Sequence, residues 1–215
     1  MRHALAIATL CLFVADAGSA PKTGAVKGTI SVKGKKNGSG VVVYLEDVPG
    51  TVTPPKKHAV IRQREKQFDP PLTIVVKGTT IDFPNEDKIF HNVFSVSRPA
   101  RFDLGLYKSG TMKSVEMKRA GVVDVYCNIH PDMIAKVKIL DNGFYTITGA
   151  DGAFDIEGVP AGQYPIVAWL PSGDEARGKV TIKAGQAARV DLAVSASDKH
   201  ESHLRKDGTP YGRYK

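Results

Sequence analysis

The chain has 215 residues, 42% of them hydrophobic and 24% charged, a balance that excludes disordered, collagenous and coiled-coil classes. Its 21 glycines and 13 prolines, with aromatics at 7%, fit many short strands joined by turns, so an all-β chain is expected. The net charge of +8 peaks in the middle, where residues 56–140 carry fifteen Lys and Arg against nine Asp and Glu. Those lysines are scattered among strand-like residues without a stacking motif, which argues against nucleic acid and for an acidic protein surface as partner.

Residues 1–17 read as an export signal: a basic start, an apolar stretch from Ala4 to Ala15, and small residues Ala15 and Ala17 before the cleavage point. No later apolar run reaches the roughly 18 residues of a membrane span, so none is expected. Removing the signal removes Cys11 and leaves Cys127 as the lone thiol of an exported chain, where free cysteines are paired, modified or ligated. The expected location is the bacterial periplasm.

Two alternating stretches, 25–32 and 41–45, flank the turn-rich K-G-K-K-N-G-S-G and read as a hairpin. Residues 49–57 form a proline-rich linker. Strands are then predicted at 58–62, 72–76, 80–83, 92–96, 114–117, 121–127 and 135–140, which implies a sandwich or barrel. Five further strands are predicted between residues 144 and 194, with D-G, P-A-G and S-G turns between them. Residues 196–215 are polar and aperiodic and are expected to be a flexible tail, in which His200 and His203 read as solvated rather than as a metal pair.

The chemistry concentrates in V-Y-C-N-I-H-P-D-M. Cys127, His130 and Met133 stand at i, i+3 and i+6, where a thiolate, an imidazole and a thioether leaving a strand end can point at one centre. That soft set selects copper over calcium or magnesium. A second imidazole must come from elsewhere, and His91 sits at a strand entrance in the same zone. Binuclear copper, c-type haem, structural zinc and a cysteine hydrolase each lack residues they need.

The stretch F-P-N-E-D-K-I-F-H-N-V-F-S, followed by G-V-V-D-V-Y-C-N-I-H-P-D-M, resembles the cupredoxins, the small blue copper proteins, and in particular the short-loop amicyanin, pseudoazurin and plastocyanin kind. The resemblance implies a Greek-key β-sandwich holding one type 1 copper ion, with His91, Cys127 and His130 as a trigonal ligand set and Met133 as a weak axial contact. It further implies that Asn92 ties the ligand loops together near the thiolate and that Pro131 lies beside the exposed histidine edge. The function it implies is single-electron transfer between redox partners, without enzymatic turnover; copper binding and delivery, or a structural module with incidental copper, is the alternative.

The segment T-I-T-G-A-D-G-A-F-D-I-E-G-V-P-A-G-Q-Y-P-I-V-A-W resembles carboxypeptidase regulatory-like, prealbumin-type sandwiches. That pattern normally begins with two more strands, which G-A-V-K-G-T-I-S-V and V-V-V-Y-L-E supply. The expected organisation is therefore residues 24–48 together with 142–195 as one sandwich, split by a copper domain at 56–141.

Overall fold

The computed structural model describes residues 22–197 and 203–211; the predicted signal, with Cys11, and His200 lie outside the described residues. The described chain is all-β, and no helix in it is long and apolar enough to cross a membrane. β1 (Thr23–Lys33) buries Val26, Gly28 and Ile30 and exposes Lys27, Thr29 and Ser31, the period of two expected of a half-buried strand. β2 (Val42–Leu45) is buried throughout, because both of its faces are covered. Val43 and Leu45 join Val26, Ile30 and Ile166 in one core, while Val42 and Tyr44 turn outward to Leu140, Val167 and Trp169.

Ten strands follow: β3 (Ala59–Val60), β4 (Arg62–Arg64), β5 (Gln67–Asp69), β6 (Leu72–Val76), β7 (Thr80–Pro84), β8 (His91–Ser95), β9 (Phe102–Tyr107), β10 (Met112–Glu116), β11 (Gly121–Tyr126) and β12 (Ile134–Leu140). The chain ends with β13 (Tyr145–Ile147), β14 (Ala153–Pro160), β15 (Gly162–Trp169), β16 (Glu175–Ile182), β17 (Ala187–Arg189) and β18 (Leu192–Ser195).

β1 pairs antiparallel with β14 and parallel with β17 and then β18, while β2 lies between β13 and β15 in the sheet β13-β2-β15-β16. β1 and β2 belong to different sheets and do not pair with each other, so the expected hairpin does not form; among the described strands neither forms a ladder with β3–β12. Gly28 sits where β1 passes from β17 to β18. A Cβ there would collide with the Val190 carbonyl, so no other residue fits.

The middle strands form their own layers, β6-β12-β11-β8-β9 and β10-β7-β3, around Phe83, Val93, Met117, Val123, Val125 and Val137. The two ends of this middle stretch meet. Leu45 N–H donates to the Phe144 carbonyl at 3.0 Å, and Asn142 Nδ2 donates back to the Leu45 carbonyl at 2.9 Å.

A buried lysine on β12 faces the sheet β13-β2-β15-β16. Alternation along β12 sends Val137 and Ile139 into the middle core and turns Lys138 the other way, onto Tyr44 and Trp169. Its ammonium donates to Tyr44 Oη at 2.9 Å and lies 4.6 Å from the Tyr44 ring and 5.0 Å from the Trp169 ring. Burial lowers its pKa. Tyr44→Phe removes the hydroxyl acceptor and leaves the rings, so it should cost about 1–3 kcal/mol, measurable as a lower denaturant midpoint. An unchanged midpoint would mean that water replaces the hydroxyl.

The middle strands differ from expectation in two places. The predicted strand 58–62 is two elements, because β4 turns away to form a hairpin with β5 through Glu65 and Lys66, both at positive φ (55° and 57°). The sequence does not predict β9, because the positive-φ Gly105 breaks its alternation. The tail also departs from the expected flexible segment, since residues 203–211 lie against the end of β11 through aromatic and hydrogen-bond contacts.

Candidate metal centre

β8 and β11 are neighbours in the five-stranded sheet, with Tyr126 opposite Phe94. This pairing brings His91, the first residue of β8, beside Cys127, the residue after β11. The chain then turns through His130 and Pro131 before β12. Met133 N–H donates to the His130 carbonyl at 3.2 Å and Cys127 N–H to the Met133 carbonyl at 3.3 Å, which closes the turn on itself.

His91 Nδ1 and His130 Nδ1 each lie 3.9 Å from Cys127 Sγ, and the three donor atoms fall within 4.8 Å of one another. The imidazole rings are 5.0 Å apart and inclined at 65°. His91 and Cys127 are fully buried, whereas His130 keeps partial solvent contact. A first-row metal ion with bonds of about 2.0–2.3 Å fits between donors so spaced, and two imidazoles with one thiolate are the donor types copper takes. Met133 is buried in the same core as Cys127.

The electrostatics favour a thiolate. Burial opposes ionisation of Cys127, but the His91 ring and the backbone N–H groups of Asn92, Ile129 and His130 outweigh it and hold the thiol below its ordinary value. Burial likewise disfavours the His91 imidazolium, yet the neighbouring Cys127 and Asp87 raise its pKa. His130 is lowered, by burial and by the charges of His91 and Lys66.

Residues outside the predicted set hold His91 in place. Its Nε2 faces Asp87 Oδ2 at 2.7 Å. The same carboxylate accepts the N–H groups of Glu65 at 2.7 Å and Lys66 at 2.9 Å, pinning the β4–β5 turn to the ligand loop. Asn85 shapes that loop, accepting from Asp87 N–H and donating to the Ile89 and Tyr107 carbonyls. Asn-x-Asp before the histidine is the signal that could have drawn attention to both, since Asn side chains close such turns.

Asn92 contributes its backbone N–H to the thiol. Its side chain donates to Asp103 Oδ1 at 2.8 Å, on β9, in place of the loop-to-loop tie that the resemblance implies. Pro131 is half-buried in the turn after His130. His58 bonds to Asp82 at 2.9 Å, outside the cluster, and His203 stacks on Tyr126.

No protein-family model matches the chain, and no curated protein matches it. Solved structures similar to it include a cupredoxin, amicyanin and a copper-containing nitrite reductase. A purple cupredoxin from Nitrosopumilus maritimus is 22% identical over 38% of this chain and 98% of its own, with a TM-score of 0.35. A methionine-to-alanine variant of amicyanin in the Cu(I) form is 22% identical over 45% of this chain and 97% of its own, at 0.37. The copper-containing nitrite reductase NirK of Thermus scotoductus SA-01 is 20% identical over 42% of this chain, at 0.38, and the match spans 24% of the reductase.

Proposed function

We propose that this chain is an exported type 1 copper protein that carries single electrons between redox partner proteins and turns over no substrate. The observation that carries this reading is the convergence of two imidazole Nδ1 atoms on the buried Sγ of Cys127. In this reading His91, Cys127 and His130 would hold the metal, with the Met133 thioether as a weaker fourth donor. Copper bound there would supply the one-electron couple. Fixed ligands suit that task, and the pinned His91 and closed Cys127–Met133 turn limit how far the donors can move.

We assign residues 56–141 to an inserted copper domain and residues 24–48 with 142–195 to a supporting regulatory-like sandwich, on the ladders of β1 and β2 and the meeting of Leu45 with Asn142 and Phe144. The N-terminal signal pattern supports a periplasmic location. Partner docking is assigned to the partly exposed His130 edge beside Pro131, and the basic middle segment favours an acidic partner surface.

Visible spectroscopy of the copper-loaded, oxidised protein tests the assignment. An intense thiolate-to-metal band that disappears on reduction is expected. His91→Ala and His130→Ala should each weaken copper binding, while Met133→Ala should mainly shift the reduction potential, because a thioether is the weakest of the four donors. A copper-loaded protein without the band overturns the type 1 reading. Copper passed to an apo acceptor without redox cycling would favour delivery over electron transfer.

A further inference from the structure

We infer that residues 203–211 form a strap that holds the two ligand-bearing loops together and sets how fast metal enters and leaves. This rests on the reading of His91, Cys127 and His130 as metal ligands. The strap touches the cysteine loop directly and reaches the His91 strand through Asp103. On the cysteine side, Tyr211 Oη donates to the Cys127 carbonyl at 2.5 Å and Lys206 N–H donates to Asn128 Oδ1 at 2.9 Å. The His203 ring stacks on Tyr126, the residue before the cysteine, with centroids 4.2 Å apart and planes at 15°.

On the other side the link runs through Asp103. Its Oδ2 accepts from Lys206 Nζ at 2.7 Å, while its Oδ1 accepts from Asn92 Nδ2 at 2.8 Å, next to His91. One lysine thus bridges the cysteine turn, through its backbone, and the His91 strand, through its side chain.

The strap has a turn of its own. Arg205 N–H donates to the Thr209 carbonyl at 2.8 Å, Gly208 N–H to the Arg205 carbonyl at 2.9 Å, and Asp207 Oδ1 accepts from Thr209 N–H and Oγ1. Such a turn reduces the entropy lost on closing. Among the described strands it joins no sheet ladder, Leu204 is more than half exposed, and the Lys206–Asp103 pair is solvent-accessible. Elements held so lightly open locally well below the free energy of global unfolding. Opening would free the Cys127 carbonyl and the Asn128 side chain in one step and loosen the turn that carries His130.

The test compares the full chain, Tyr211→Phe, and a chain ending at Ser197. Each is loaded with Cu(II) and challenged with excess EDTA, and metal loss is followed by absorbance; in parallel, amide hydrogen exchange is measured across residues 128–133 of the metal-free proteins. Tyr211→Phe keeps the ring and loses one hydrogen bond, so metal loss should speed up roughly two- to tenfold, with a larger increase in the shortened chain. Exchange at 128–133 should rise while exchange in β1 and β15 stays unchanged. Equal rates of metal loss and equal local exchange in all three proteins overturn the strap. Failure of the full chain to hold copper overturns the metal assignment instead, and the exchange comparison still decides the strap.

Discussion

Cys127→Ser should abolish the visible band of the copper-loaded protein completely while leaving a folded chain. The thiol is fully buried between two imidazole nitrogens 3.9 Å away, and its ionisation is favoured by the His91 ring and three backbone N–H groups. A serine hydroxyl in the same place stays protonated near neutral pH and has no easily ionised sulfur electrons, so the low-energy charge transfer disappears even if copper is still held by the histidines. The fold has less at stake. The replacement exchanges one small group for another beside imidazoles that can accept its proton, at about 1–2 kcal/mol. Absorbance of the loaded protein measures the first effect, and thermal unfolding of the metal-free protein the second. An intense band persisting in the serine variant would place the chromophore elsewhere.

Two kinds of feature differ in how far the sequence exposes them. The convergence of His91, Cys127 and His130 was legible where spacing along one strand end decides it: Cys127 and His130 lie within one closed turn, and His91 stands at the entrance of the strand paired beside it. β1 was legible for a similar reason, since its alternation survives intact from Val26 to Ile30. What escaped depends on contacts distant in sequence. Glu65 and Lys66 are ordinary residues held at positive φ, where a carboxylate some twenty residues later, Asp87, captures both of their N–H groups. Local propensity disfavours that turn, and tertiary hydrogen bonding overrides it. β2 shows no alternation because Val42 and Tyr44 pack toward Leu140 and Lys138 of β12. The tail looked mobile by composition, yet its polar residues find Asn128, Asp103 and the Cys127 carbonyl as partners. Low apolar content predicts weak burial; it does not predict the absence of specific polar docking.

Asp87→Ala should weaken copper binding by roughly 10–100-fold, the range typical when a carboxylate behind a ligating histidine is lost. One carboxylate receives three donors: His91 Nε2, Glu65 N–H and Lys66 N–H. Accepting from Nε2 fixes the His91 tautomer that leaves the Nδ1 lone pair turned toward Cys127. Alanine removes that orientation and also releases the β4–β5 turn, whereas Asp87→Asn keeps the shape but presents an amide N–H to one of the donors, so its loss should be intermediate. The pH dependence has a definite sign. Burial opposes the Asp87 carboxylate, but its three donors outweigh this and hold its pKa below the ordinary range; its stabilisation is complete above the unfolded value of about 3.9 and is lost as pH falls through the lower folded value. His91 is raised, so proton competition for Nδ1 begins above the ordinary histidine value of about 6.5 and grows as pH falls. Titration with a competing chelator at about pH 8, well above ordinary histidine titration, reduces that competition and leaves the effect of orientation. Wild type and both variants binding copper equally there would show that the Cys127 turn alone positions His91.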